Sequence, residues 1–256
     1  MKFLPTTKEE MKNLGWDSID VLLISGDTYL DTSYNGSALV GKWLVEHGFK
    51  VGIIAQPEVD VPDDITRLGE PNLFFAISGG CVDSMVANYT ATKKRRQQDD
   101  FTPGGVNNKR PDRAVLVYSN MIRRFFKGTT KKIVISGIES SLRRITHYDY
   151  WTNKLRKPIL FDAKADILSY GMGEMSMLQL ATALKNGEDW QNIRGLCYLS
   201  KEAKEEYLSL PSHSECLADK DKFIEAFHTF YLNCDPITAK GLCQKCDDRY
   251  LIQNPP

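Results

Sequence analysis

The sequence predicts an α/β fold, an open parallel sheet flanked by helices. Three observations carry this. Short runs of strand length are almost wholly apolar, as in strands covered on both faces. Longer stretches between them carry apolar residues at helical spacing. The two kinds of segment alternate, which is the mark of βαβ units and a parallel sheet.

Residues 20–25 form the first apolar run. Residues 36–47 follow as a helix, preceded by Asn35, with Val40, Trp43, Leu44 and His47 on one face and Gly48 at its end. A second strand at 50–55 is closed by Pro57, and a third covers 73–78, before a short helix at 82–89. Asp112 is a plausible N-cap for the next helix, where Ala114, Val117, Tyr118, Met121, Ile122 and Phe125 repeat at i, i+3, i+4, i+7, i+8 and i+11. The fourth strand is 131–136, and further strands are expected at 158–161 and 166–170. A helix over 174–185, with Met177, Leu180, Ala181 and Leu184 on one face, stops at Asn186-Gly187. Beyond it come a strand at 195–199, a helix near 219–231 and a last strand at 249–253. Five of the six Cys lie in this last part, so the chain is divided softly into 1–190 and a smaller α+β extension, 191–256.

The 256 residues hold 33 basic and 33 acidic side chains, so no net charge argues for nucleic acid or membrane and any such case must be local. No apolar run approaches the roughly 18–20 residues of a membrane span, and the first ten residues lack the apolar core of a signal peptide. A reducing cytoplasm with reduced thiols is the expected setting.

Strands one, three and four end alike, at Ser25-Gly26, Ser78-Gly79-Gly80 and Ser136-Gly137. In open parallel sheets ligands bind outside the carboxyl ends of the strands, so Ser25, Gly26, Asp27, Ser78, Gly79 and Gly80, with Tyr29 of the first loop (27–31), are candidate ligand contacts. Glycine at such exits lets a ligand approach the backbone, although βα loops favour Gly and Ser in any case. Neither Gly-x-Gly-x-x-Gly nor a P-loop motif is present, so neither a nicotinamide dinucleotide nor a P-loop nucleotide is indicated. Residues 92–113 are a long loop with seven basic and three acidic residues, which suits a binding loop or a mobile surface loop equally. Residues 142–157 carry five basic residues and one acid, and interleave Tyr148, Tyr150 and Trp151. Arg143, Arg144, His147 and Asp149 there suit an anion or a stacked base. Asp162, Lys164 and Asp166 alternate, which would place them on one face of an extended segment or make them solvated decoration of an edge. Cys243-Gln-Lys-Cys246 is a lone Cys-x-x-Cys, short of the four ligands of structural zinc, and no metal site is expected. No catalytic residue is identified.

On Gly137-Ile-Glu-Ser-Ser-Leu-Arg-Arg144, Asn108-Lys-Arg-Pro-Asp-Arg113, Asp83-Ser-Met-Val-Ala-Asn-Tyr-Thr-Ala91, His147-Tyr-Asp-Tyr-Trp151 and Tyr170-Gly-Met-Gly-Glu174, among others, the sequence resembles the YgiQ-type radical SAM proteins, an uncharacterised family. The resemblance covers most of 20–175 and the ending 248–256. It implies a cobalamin-binding-like, flavodoxin- or Rossmann-like α/β domain placed before a radical SAM barrel. That barrel would be the chain's partner. It would carry the three-Cys motif for a [4Fe-4S] cluster, which with S-adenosylmethionine generates a radical. The motif is absent from this sequence, so the chain is expected to be an N-terminal fragment that is not catalytic alone. Cobalamin is a candidate cofactor, although the Asp-x-His-x-x-Gly signature for a cobalt-ligating His is missing. The substrate, a small molecule or an RNA, is undefined for the family. From a different class, an RNA-binding module using 92–113 and 142–157 fits the basic and aromatic pattern.

Overall fold

The structure is a computed structural model that describes residues 3–30 and 35–256. Met1, Lys2 and the end of the first loop, including Asp31, lie outside the described residues. The elements run α1 (Lys8–Asn13), β1 (Val21–Ser25), α2 (Gly36–Glu46), β2 (Val51–Ala55), α3 (Pro62–Thr66), β3 (Phe74–Ser78), α4 (Ser84–Asn88), α5 (Ala114–Phe125), β4 (Lys132–Ser136) and α6 (Gly137–Ser141). They continue with β5 (His147–Asp149), β6 (Lys154–Arg156), α7 (Ile159–Ala163), β7 (Ile167–Ser169), α8 (Glu174–Asn186), β8 (Leu196–Ser200), β9 (Leu208–Leu210), α9 (His213–Ala218), α10 (Lys220–Tyr231), β10 (Leu242–Cys246) and β11 (Arg249–Gln253).

The main sheet has the order β2-β1-β3-β4-β7-β8-β11-β10-β9. Its first five strands are parallel and follow the 2-1-3-4-5 order of flavodoxin-like sheets, with the reversal between β1 and β3. The pairing becomes antiparallel at β7–β8, where Leu168 faces Cys197. One sheet therefore runs through the chain on both sides of residue 190. No helix among the described residues is long and apolar enough to cross a membrane.

Period-two alternation divides the parallel strands between two cores. Leu22, Ile24, Phe75, Ile77, Ile133 and Ile135 pack with Tyr118, Met121 and Ile122 of α5. Val21, Leu23, Phe74, Ala76 and Val134 pack on the other face with Leu44 of α2 and Leu180 of α8. Because both faces are covered, the runs read as continuously apolar.

Several expectations need correction. The buried face of α2 is Ala38, Gly41 and Leu44, and His47 is exposed, because the helix lies against α8 as well as the sheet. Asp112 does not cap α5. Its carboxylate accepts from Asn88 Nδ2 at 2.8 Å and Tyr89 Oη at 2.7 Å, and the N-cap is Arg113 in the left-handed region at φ 53°. The expected strand at 158–161 is the short helix α7, and Lys164 closes it in the left-handed region. Asp162, Lys164 and Asp166 thus share no extended face. The Cys-x-x-Cys lies on β10, where positions three apart point to opposite faces. Cys243 packs with Tyr198 and Ile252, and no group of three or more potential metal-ligating side chains occurs among the described residues.

The continuous β7–β8 pairing makes a prediction. In hydrogen exchange the amides of β7 and β8 should fall in the same slow class as those of β1 and β3. Faster exchange throughout β8–β11 would mean that the seam opens as a unit.

Candidate functional site

The exits of β1, β3, β4 and β7 lie at one end of the sheet, and the glycines there close on one another. A Cβ on Gly26 would overlap the Gly79 carbonyl oxygen, and one on Gly80, at φ 116°, would meet the Asp27 carboxylate and the Arg110 guanidinium. These two glycines are therefore required by the meeting of loop with loop.

Arg110 holds that meeting together. Its side chain is fully buried, with Nη1 2.6 Å from Asp27 and Nη2 3.2 Å from Asp99. Nη1 also donates to the Gly79 carbonyl at 2.9 Å. The carboxylates are satisfied further by backbone donors, Cys81 N on Asp27 at 2.6 Å and Phe101 N on Asp99 at 3.0 Å. Asp99 also accepts from Thr102 Oγ1 at 2.7 Å, and Gln56 Nε2 donates to Thr102 Oγ1 at 2.7 Å and to the Gly26 carbonyl at 3.0 Å. So the loop 92–113 is a packed part of the fold, stitched to β1, β2 and β3. The Cys81 thiol sits beside this network. Burial, and then its hydrogen bond to Asp27, push it up to about 12, so it stays protonated.

Two adjoining cavities of about 230 Å³ each open beside the network. The first has an apolar floor of Leu23, Val40, Ala76 and Met177, and a rim of Ser37, Ser136 and Ser169. The second is lined by Ser25, Asp27, Ser78, Gly80 and Cys81. Gly36, Ser37, Ser78 and Gly137 belong to both, so the two form one cleft across the switch point. Ser25, Asp27, Ser78 and Gly80 are thus brought together as the sequence suggests. Gly26 and Gly79 stand behind the cleft wall, and Tyr29 Oη accepts from Leu4 N at 2.9 Å.

The other candidates separate. Arg143 pairs with Asp83 and also donates to the Glu139 carbonyl at 3.0 Å. Asp149 pairs with Arg113 at 2.8 Å and Arg156 at 3.6 Å. Burial alone would raise Asp149, but Thr152 and Arg113 outweigh it and hold the carboxyl at about 2. Together with Asp83, Arg143 and Asp149 border a third cavity, apart from the cleft. His147 lies in a narrow crevice with Arg143 and Asp162, and its Nδ1 is 3.1 Å from the Ile145 carbonyl. Burial brings it down to about 4, so the ring is neutral near pH 7. Arg144 faces the extension. It stacks between Tyr170 at 4.5 Å and Phe230 at 4.2 Å, and its Nε donates to Gln253 Oε1 at 3.1 Å. Asp162 pairs with Arg156 at 3.2 Å, and Lys164 is exposed. Asp166 accepts from Ile133 N at 2.8 Å and pairs with Arg123 at 3.1 Å, at the amino end of the strands and opposite the cleft.

Glu139 lies in the motif 137–144 but was not among the candidate contacts, and it is 2% exposed. Its carboxylate accepts from Ser84 N at 3.0 Å and Val115 N at 3.2 Å, so it joins the first turns of α4 and α5. Burial, and then the nearby Asp83, raise its pKa. Arg110, Asp99 and Gln56 were also missed. For Arg110 and Asp99 the signal that could have found them is the crowding of motif-like residues in the basic loop, whereas Gln56 lies outside it, directly after β2.

Much of the charge of the basic segments is matched by internal pairs. Arg95, Arg110, Arg113, Arg143, Arg156 and Lys157 each face a carboxylate.

Comparison with known proteins adds the following. A family described as "Radical SAM N-terminal" matches residues 3–256. A UPF0313 protein of Fusobacterium nucleatum is 96% identical over 256 residues, covering all of this chain and 45% of that protein. One from Thermotoga neapolitana is 51% identical over 257 residues, covering 99% of this chain and 45% of that protein. One from Methanocaldococcus jannaschii is 48% identical over 263 residues, covering 99% and 42%. The chain thus spans less than half the length of these curated relatives. Among solved structures, the radical S-adenosylmethionine methyltransferase TsrM from Kitasatospora setae, with cobalamin and a [4Fe-4S] cluster bound, has a TM-score of 0.48 at 18% identity, covering 71% of this chain and 27% of that one.

Two predictions follow from this geometry. Arg110→Met leaves two buried carboxylates uncompensated and should cost about 3–5 kcal/mol in denaturant unfolding. Adding Asp99→Asn should recover part of that, and additive losses would deny the pairing. Second, His147 folds at about 4 against an ordinary value of 6.5. Between those values the unfolded chain takes a proton that the native state refuses, so stability should fall as pH drops through that window. His147→Gln should flatten this part of the profile, and an unchanged slope would contradict the burial.

Proposed function

Because this chain belongs to the radical SAM N-terminal family, we propose that it is the accessory domain of a radical SAM enzyme and holds a cofactor or substrate in the carboxyl-edge cleft. The observation that carries this reading is the cleft itself. It lies across the switch point, with an apolar floor, a hydroxyl rim and one polar wall stiffened by Arg110. Ligand pockets combine these ingredients, and typical ones measure about 300–1,000 Å³. Each cavity alone is smaller, at about 230 Å³, so a ligand would occupy both or extend beyond them.

The residues here do not fit an iron–sulfur cluster. Such clusters take several Cys thiolates, and Cys81 is the one cysteine lining the cleft among the described residues. In this proposal the [4Fe-4S] cluster and S-adenosylmethionine chemistry belong to a barrel outside this chain, which is the domain's partner. Cobalamin is the cofactor candidate. Its cobalt would supply the reactive centre, while the apolar floor would bury part of the ligand and Ser37, Ser136 and Ser169 would meet polar groups at its margin. None of the four His lines either cavity, so the fit is to a mode of binding that takes no imidazole from these residues. No observation favours the RNA reading, since so many of the basic side chains it needs are already paired.

Titration of the full-length protein with hydroxocobalamin tests this. We expect a saturable shift in its visible spectrum that is lost in Ser37→Trp, whose side chain would fill the junction of the two cavities while thermal stability stays near wild type. No shift with the wild-type protein would reject cobalamin. A shift unaffected by Ser37→Trp would reject the cleft.

A further inference from the structure

The third cavity is larger than either half of the cleft, at about 520 Å³, and shares no lining residue with them. It lies between α4 and the β5–β6 hairpin, and its volume is that of a small-molecule pocket. Its walls are aromatic. Tyr89 and Trp151 have ring centroids 5.0 Å apart, Tyr150 stands edge-on to Trp151 at 5.7 Å, and Tyr148 contributes a fourth ring. Tyr148 and Tyr150 are half exposed, at 51% and 50%, and Lys93 Nζ lies 4.7 Å from the Tyr150 ring centroid, so these rings are open to solvent and to a cation.

The polar groups of the walls differ in one respect. Asp83 is neutralised by Arg143, and Asp149 by Arg113 and Arg156. Arg96 faces no carboxylate among the described residues. Its Nε donates to the Val86 carbonyl at 3.2 Å and the Tyr89 carbonyl at 3.1 Å, which fixes the guanidinium at the rim. Its two terminal nitrogens make no hydrogen bond with the described residues, in a molecule where its neighbours Arg95, Arg110 and Arg113 are all paired with carboxylates. A positioned guanidinium beside half-exposed rings suits a planar group that carries an anion, which can stack and accept two parallel hydrogen bonds at once.

We propose that this cavity is a second binding site, for a small planar aromatic anion. A nucleoside monophosphate and an aromatic carboxylate share that chemistry. Rings of the walls would cover the ligand's plane, and Arg96 would take the phosphate or carboxylate. The paired acids would leave the pocket without a repelling charge. The site is independent of what the carboxyl-edge cleft holds.

The test is calorimetric titration of the full-length protein with AMP, with adenosine, and with indole-3-acetate. Saturable binding of AMP or of indole-3-acetate is expected, and which of them binds distinguishes the two sources. Adenosine, which lacks the anion, should bind at least about tenfold more weakly than AMP, as for the loss of a charge-assisted hydrogen bond. Arg96→Gln should remove that difference, and Arg96→Lys should retain most of it. Ser37→Trp should leave binding unchanged, which separates this site from the cleft. Tyr150→Ala, at a half-exposed ring, should weaken every aromatic ligand, with circular dichroism confirming the fold. No saturable binding of either anion would overturn the proposal. So would an AMP to adenosine ratio that Arg96→Gln leaves unchanged.

Discussion

The carboxyl end of the sheet depends on one buried cation. Arg110 arrives from a loop distant in sequence and sits between Asp27 of the first strand exit and Asp99 of its own loop. A buried ion triad is costly to desolvate, and such groups add little stability compared with apolar packing. What it secures here is position. The guanidinium also takes the Gly79 carbonyl, so one side chain sets the spacing of the first and third strand exits. Both walls of the second cavity inherit that spacing. Backbone donors from Cys81 and Phe101 add a hydrogen bond to each carboxylate and offset part of the cost of burying them.

The charge balance of the chain takes on meaning in this light. Equal numbers of acids and bases could describe a surface of scattered, solvated groups. In the basic loop and the hairpin segment many of the charges are instead matched in space by acids from elsewhere in the chain, such as Arg113 with Asp149 and Arg143 with Asp83. Exposed pairs of this kind contribute roughly 0–1 kcal/mol each, but those on buried acids orient the loops. The segments that looked most ready for a polyanion are therefore largely occupied with holding the fold, and Arg96, tied only to backbone carbonyls, keeps its charge unmatched among the described residues.

The sequence was most legible where periodicity decides the outcome. All five parallel strands but the last were bounded to within a residue, because a strand buried on both faces leaves no ambiguity in its pattern. Helix α8 and its left-handed stop at Gly187 were equally plain. Legibility failed where tertiary contacts choose among locally equal states. The segment at 158–161 is apolar enough for a strand, yet it turns as a helix whose Ala163 carbonyl accepts from Ser119 of α5 at 2.7 Å. The hairpin at 147–156 has polar residues at alternate positions that also fit a loop. In the candidate site, Ser25, Asp27 and Ser78 could be found because they end or follow strands, whereas Glu139 and Arg110 act through distances that no local pattern records.

The interlocked glycines also bear on how this domain can change over time. Gly26 lies against the backbone of the Gly79 loop, and Gly80 lies against side chains of the first loop and of the basic loop. A substitution at either one demands accommodation by its neighbours, so the strand exits are tied into a set that must vary together. Ser37 and Ser136 line the same cleft without joining the Arg110 network. Ligand preference can drift through these positions one residue at a time while the frame stays fixed. The architecture thus separates the residues that evolution can adjust freely from those it can only replace as a group.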